Sequence, residues 1–418
     1  MHKLLIKGKK ELSGKISISG SKNATLPILA ASVLANQVKL TNIPLVKDIF
    51  TMVELLKFIG LRVKILKNKN VIEINDKEKK INTLAPYKLV KTMRAGVLVL
   101  GSLLSKYGKA KVSLPGGCAI GSRPVDLHLF ALKKLGAKIK IKDGYIIADA
   151  KQGLKGCVVK FPNISVGATE NALLAAFNAK GKTILKNCAI EPEVKDLVLF
   201  LNKLGSKIKI SGRTITINEL KKISVKVYHD VIFDRIELGT YMIASALVGK
   251  KITISKINPN IVKSEIDILR KMGVKIKKFR NSIIIKKNKK LKKINITTSP
   301  YPGFPTDLQA QLMVLMSQAR GVSKITENIF ENRFMHVPEL KRMGAIIKIK
   351  NKTAYIQGPS KLTGAEVMAT DLRASVSLVL AGLVAENRTI INRIYHLDRG
   401  YEFLEAKLKS CKADIKRV

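Results

Sequence analysis

Seven short stretches hold side chains able to give up protons, accept them, or bind anions. In "LPGGCAIGSRPVDLH", residues 114–128, Cys118 sits between a diglycine and Arg123. Taken alone, Cys118 could be a nucleophile, a metal ligand, a buried thiol or a general acid. A thiol with an ordinary pKa of about 8.5, shifted by nearby cations, is a usable acid near neutrality. A Cys–His nucleophile pair is poorly supported, since His128 is ten residues on and the chain has only five His. "SGSKNATLP" opens an apolar helical stretch with Ser21, Lys22 and Asn23, and a lysine at a helix start after glycine suits an anion. "KTMRAGV" puts Arg94 in the corresponding place further along. "YPGFPTDLQAQ" sets Asp307 at the mouth of a later helix, with Pro305 enforcing an extended approach. "ATDLRAS" adds Asp371 and Arg373, and "HLDRGYE" adds Asp398 and Arg399. Asp371 is equally well placed to cap the helix it precedes. Asp398 reads as a brace for Arg399. Arg333 and His336 in "ENRFMHVPEL" either line a cleft or hold a surface together. Together these cations and few carboxylates suit a small, multiply charged anion.

What positions them is a repeat. An apolar helix end, a glycine, then an alternating strand recurs roughly every 70 residues: "LLKFIGLRVKIL", "LKKLGAKIKI", "LNKLGSKIKI", "LRKMGVKIKK", "LKRMGAIIKI" and "LKSCKADIKRV". Gly60, Gly136, Gly205, Gly273 and Gly344 mark five copies, and Cys411 takes that place in the sixth reading. Glycine past the last helical turn supplies the left-handed conformation, and the Ile/Val alternation that follows is a half-buried strand. A cysteine there is tolerable at a cost on the order of 1 kcal/mol, and its thiol reads as structural. Each copy also has an upstream helix that is apolar on all faces, such as "NALLAAFNA" or "RASVSLVLAGLVA", which belongs inside with sheets around it. The expected order is helix, strand, helix, strand, strand, six times over.

At 418 residues two domains of three copies each are expected. One chain crossing falls near residue 230. Four dispersed cysteines argue against a zinc site and a disulfide framework, and a reducing cytoplasm fits. The N-terminus has no apolar core of a signal peptide, and no apolar run is long enough to span a bilayer. The formal charge of +47 invites a nucleic-acid reading. However, all but 15 of the 77 basic residues are Lys, they are spread through every segment, and aromatics make up 5%. A built nucleic-acid groove would favour Arg, stacking aromatics and clustering. The charge therefore reads as a lysine-coated surface.

From "SGSKNA" through "KTMRAG", the cysteine loop, "SVGAT", "FPTDLQAQ", "FENRFMHVPEL", "TDLRAS" and "YHLDRGYE", the chain resembles the UDP-N-acetylglucosamine 1-carboxyvinyltransferases. These are enolpyruvyl transferases of the EPSP synthase family, and the likeness runs in matching order over essentially the whole length. The cysteine loop sets this branch apart from the enolpyruvylshikimate phosphate synthases.

The resemblance implies a two-domain inside-out α/β barrel. One domain would be residues 22–230, with a mobile cysteine loop at about 113–124. The other would be 1–21 plus 231–418, so that the chain crosses twice and the lobes close on a shared cleft. It implies an enzyme of peptidoglycan precursor synthesis that acts on phosphoenolpyruvate and UDP-N-acetylglucosamine with no metal or cofactor. The enzyme would be cytoplasmic and monomeric, with no nucleic-acid or membrane partner, and a target of fosfomycin.

It also implies roles. Lys22, Arg123 and Arg399 match groups around the phosphate of phosphoenolpyruvate, and Arg373 assists at its carboxylate. Cys118 matches the proton donor, and Asp307 the residue touching the sugar 3-hydroxyl, as base or as orienting group. Asn23, Arg94, Arg123, Pro124, Val125, Asp126, Leu127, Asn163, Ile164, Ser165, Val166 and Ile329 match contacts to the UDP-sugar. Sister transferases with another acceptor, and a polyanion-binding repeat protein, are the alternatives.

Overall fold

The computed structural model describes residues 2–75, 81–116, 125–288 and 290–418. Among them the strands form six four-stranded sheets, one for each copy of the repeat. In the third copy, Val158–Lys160 pairs in parallel with Thr183–Lys186, then Thr214–Asn218 and Lys207–Ser211 follow antiparallel. A parallel pair needs a crossover, and the apolar helix of the copy provides it. The other five sheets repeat this order, with a parallel pair at one edge and an antiparallel pair at the other, a hairpin in all but the sheet that joins Leu4–Lys7 to Asp414–Arg417.

Six apolar helices anchor the copies: α1 (Lys22–Ala31), α2 (Val99–Tyr107), α3 (Val166–Ala176), α4 (Arg235–Val248), α5 (Gln309–Met316) and α6 (Leu372–Val384). All eight residues of α5 are buried, and in α1 all but Asn23 are buried. A helix without a polar face can only be a core helix. This is the inside-out α/β barrel architecture, with helices within and sheets outside. The second helix of each copy is amphipathic, and in the first five it ends at the marker glycine. Gly60, Gly136, Gly205, Gly273 and Gly344 have φ of 113°, 99°, 116°, 91° and 96°, the left-handed region where a Cβ is penalised.

The sixth copy corrects the sequence reading by one residue. Cys411 has φ −96°, an ordinary conformation, and Lys412 takes the glycine position with φ 74°. Cys411 instead matches Met343 of the fifth copy, and like Met343 it is fully buried. The strain thus falls on an exposed lysine, and the thiol is a small core group.

The residues divide into two compact units, each with its own core. The first comprises 20–116 and 125–232, and the second 2–19 and 233–418. Both units are completed by segments remote in sequence. Lys226–Asp230 supplies the parallel edge strand beside Gln37–Thr41 in the first. In the second, Leu12–Ser17 pairs in parallel with Gly249–Ser255. Leu4–Lys7 lies between Arg388–Asn392 and Asp414–Arg417, antiparallel to both. The main chain therefore passes from one unit to the other after Ser19 and again after Ile232.

Candidate active site

In the first unit, Ser21 caps α1 by accepting a hydrogen bond from the Ala24 amide at 3.3 Å. Lys22 follows in the first turn, and its Nζ lies 3.0 Å from Asp48 Oδ2. Both side chains are largely buried, so removing either partner would strand a desolvated charge. Asp48 was not singled out from the sequence. It sits in the first turn of the helix Lys47–Ile59, and only the fold brings it to Lys22. Arg94 begins a 3₁₀ turn, Arg94–Leu98, that leads into α2. Ser165 caps α3, accepting from the Ala168 amide, with Asn163 and Val166 exposed and Ile164 half-buried beside it. Val125 is buried, with Asp126 exposed and Leu127 half-buried, at the start of the helix Asp126–Lys134. The N-termini of α1 and α3 and the entry to α2 thus carry the predicted polar groups of this unit. Cys118, Arg123 and Pro124 lie outside the described residues.

In the second unit Asp307 lies in the turn Thr306–Leu308 that runs into α5. Its carboxylate is gripped by two buried guanidiniums: Arg333 donates to Oδ1 at 2.6 Å and Arg373 to Oδ2 at 2.8 Å. The Asp307 side chain is 28% exposed and the arginines 5% and 7%, so the acid reaches outward while its clamps do not. Burial works against the Arg373 charge, but the Asp307 carboxylate together with Tyr401 and Asp234 outweighs it and raises the guanidinium pKa. Arg333, which the sequence left undecided, is therefore part of the site through Asp307. Arg373, expected at a substrate carboxylate, binds Asp307 and the Tyr401 hydroxyl here.

Asp371 caps α6, accepting from the Arg373 and Ala374 amides at 2.8 and 3.0 Å. Asp398 does not brace Arg399. It binds Arg417 through both oxygens, at 2.7 and 3.1 Å, because Arg417 on the last strand also engages Glu405 and draws both acids to it. Arg399 closes the 3₁₀ segment Ile394–Arg399. Ile329 is 37% exposed, with its amide donating to Glu327 Oε1 at 2.8 Å.

His336 is buried against Met313, with Nε2 3.3 Å from the sulfur. Burial pushes its pKa down to about 4, with Asp371 opposing and Arg333 adding to the fall. The folded value is below the unfolded 6.5, so the folded state rejects a proton that the unfolded chain accepts. Its contribution is complete above pH 6.5 and is lost as pH falls from there towards 4. Urea unfolding should therefore show the protein about 2 kcal/mol less stable at pH 5 than at pH 7 through this group. His336→Met should remove that share of the difference, and an unchanged pH slope would refute it.

The two units carry a lysine–aspartate pair and an aspartate held by two arginines, at helix starts that correspond within the repeat. The EPSP synthase (3-phosphoshikimate 1-carboxyvinyltransferase) family model matches residues 6–408. The chain belongs to the EPSP synthase family. The UDP-N-acetylglucosamine 1-carboxyvinyltransferase of Pelagibacter ubique (strain HTCC1062) is 58% identical over 429 residues, covering all of both chains. The same-named protein of Rickettsia prowazekii (strain Madrid E) is 51% identical over 420 residues, again covering both completely. Among solved structures, the enolpyruvyl transferase NikO from Streptomyces tendae superposes with a TM-score of 0.91 at 25% identity, covering 100% of this chain and 99% of that one. EPSP synthase from Acinetobacter baumannii gives 0.78 at 19% identity, with the same coverage, a likeness of fold alone. Within the family, this chain is far closer in sequence to the proteins named for the nucleotide-sugar acceptor.

Proposed function

We propose that this protein transfers the enolpyruvyl group of phosphoenolpyruvate to the 3-hydroxyl of UDP-N-acetylglucosamine and releases phosphate. It is a transferase of peptidoglycan precursor synthesis. The observation that carries this reading is the identity of 51–58%, over the full length, to proteins named for that reaction.

The chemistry has two halves. In addition, the sugar hydroxyl oxygen bonds to C2 of phosphoenolpyruvate, its proton leaves, and a proton is delivered to the C3 methylene. In elimination, the tetrahedral intermediate gives up a proton from the methyl group and the C2–O bond to phosphate breaks, restoring the double bond. Cys118 is assigned the proton to carbon. Asp307 is assigned the sugar hydroxyl. The arginine clamp supports Asp307 as an anionic acceptor held in one orientation, since each carboxylate oxygen has a fixed donor. Lys22, Arg123 and Arg399 are assigned to the phosphate. Preformed cations there favour the charge that grows on the leaving group. The Lys22–Asp48 pair supports this for Lys22, because the ammonium is held in place before any anion arrives. The UDP-sugar is assigned to Asn23, Arg94, residues 123–127, residues 163–166 and Ile329.

A phosphate-release assay with both substrates, omitting each in turn, tests the reading. Release should require phosphoenolpyruvate and UDP-N-acetylglucosamine together. Release with shikimate 3-phosphate in place of the nucleotide sugar would assign the chain to the sister activity instead.

A further inference from the structure

Two consecutive residues after Arg399 are buried and bonded to different parts of the second unit. Tyr401 accepts from Arg373 Nη1 at 3.2 Å, and its hydroxyl lies 2.9 Å from Thr240 Oγ1. Gln311 adds a donor to both Thr240 Oγ1, at 3.2 Å, and the Asp307 carbonyl, at 2.9 Å. Tyr401 thereby braces the guanidinium that holds Asp307 Oδ2.

Glu402 takes the other direction. Its Oε2 accepts from the hydroxyl of Ser19, the last residue of the second unit before the chain crosses towards Lys22. Every polar group of Ser19 is engaged. Its amide donates to Glu237 Oε2 at 2.8 Å, its carbonyl accepts from the Asp234 amide at 2.9 Å, and Lys407 donates to its hydroxyl at 2.6 Å. Lys407 also reaches Glu237 Oε1 at 2.6 Å. Burial pushes the Glu237 carboxyl up to about 7 against the pull of Lys407, the mark of an ion pair deep in the fold. The Asp234–Ser19 bond also ties the first crossing to the start of α4, just after the second crossing at Ile232. One residue on, a Cβ at Gly20 would meet the Asn42 carbonyl oxygen at 1.6 Å, so the departing chain has one narrow path.

We propose that Tyr401 and Glu402 are positioning residues that form a single strap. Tyr401 sets Arg373, and through it Asp307. Glu402 sets Ser19, from which the chain leads to Lys22, and the backbone carrying Arg399 is fixed by both. The proposal rests on the function proposed above, but one arm of its test does not.

In the full-length protein, Tyr401→Phe keeps the buried ring and removes only the hydroxyl. It should lower kcat for phosphate release about tenfold, the scale of a lost hydrogen bond to a charged group. The dissociation constant for UDP-N-acetylglucosamine by calorimetry should stay within about twofold, because the strap serves the reacting groups and not the nucleotide. Glu402→Ala should do the same, and Glu402→Gln, which retains an acceptor oxygen, should recover to within about threefold of wild type. Wild-type kcat in both Tyr401→Phe and Glu402→Ala would overturn the proposal. So would losses fully accounted for by the unfolded fraction. Hydrogen exchange decides independently of activity: Glu402→Ala should speed exchange of the Ser19 amide. Unchanged exchange there would overturn the strap, even if the wild type released no phosphate and the enzymatic reading itself had failed.

Discussion

Cys118→Ala is expected to lower kcat for phosphate release by about 10²–10⁴, the range a positioned general acid supplies, with UDP-N-acetylglucosamine binding near wild type. Protonation of the C3 methylene must accompany attack at C2, because the oxygen nucleophile of an alcohol is weak and the developing charge needs an exit. A thiol assigned to that step would need neighbouring cations to bring its acidity towards neutrality. If Cys118 has that role, it is the thiol that an epoxide mimic of phosphoenolpyruvate such as fosfomycin should alkylate.

The other cysteines supply the contrast, since the thiolate is the reactive form. Burial pushes Cys188 up to about 12 and raises Cys157 and Cys411 as well, with Lys134 opposing at Cys157 and Ser410 at Cys411. The Cys157 thiol, moreover, already donates to the Lys134 carbonyl at 3.2 Å. Mass spectrometry should find the label at Cys118 alone. Label at Cys157, Cys188 or Cys411, or a Cys118→Ala variant with wild-type turnover, would remove the acid role.

How far the sequence could be read depended on the range of the interaction involved. The repeat was legible because its signals are local: a glycine whose left-handed turn ends a helix, then a strand whose alternation shows within five residues. A slip at Cys411 came where that local signal is missing, and the short strand that completes each four-stranded sheet was not expected. With no glycine in the sixth copy, nothing in "LKSCKADIKRV" distinguishes Cys411 from Lys412 as the turn residue, and only the backbone places the positive φ at Lys412. Partners were a different matter. Asp48 lies 26 residues from Lys22, and Arg333 and Arg373 lie 26 and 66 residues beyond Asp307. No spacing rule joins such residues. Asp398 shows the hazard of assuming one, because its neighbour Arg399 looked like the natural partner and Arg417 holds it instead. Tyr401 and Glu402 were in plain view in "HLDRGYE", yet only the buried hydrogen bonds give them a purpose.

Asp307→Asn should lower kcat by at least about 10², with UDP-N-acetylglucosamine affinity changed less than about tenfold. The clamp explains why so conservative a change should be severe. Asp307 offers acceptors to Arg333 on one oxygen and Arg373 on the other, and the exposed edge of the carboxylate remains for a substrate hydroxyl. An amide has a single acceptor oxygen, and its NH₂ would face one of the two guanidiniums. One arginine therefore loses its anionic partner in a buried setting, and the side chain turns away or is displaced. Charge is lost as well, so a proton leaving the sugar hydroxyl finds no anion whether Asp307 accepts it outright or only orients the group. Because two buried cations are left sharing a neutral partner, the variant should also unfold at a lower temperature, and kcat must be referred to folded enzyme. Turnover within about fivefold of wild type in folded Asp307→Asn would show that neither the charge nor the second acceptor matters to the reaction. Arg373→Met offers the converse reading: it leaves Asp307 with Arg333 alone, and should weaken turnover through the freed oxygen while the carboxylate itself is intact. A loss in Asp307→Asn larger than in Arg373→Met is the order expected when the carboxylate meets the substrate and the guanidinium serves to hold it.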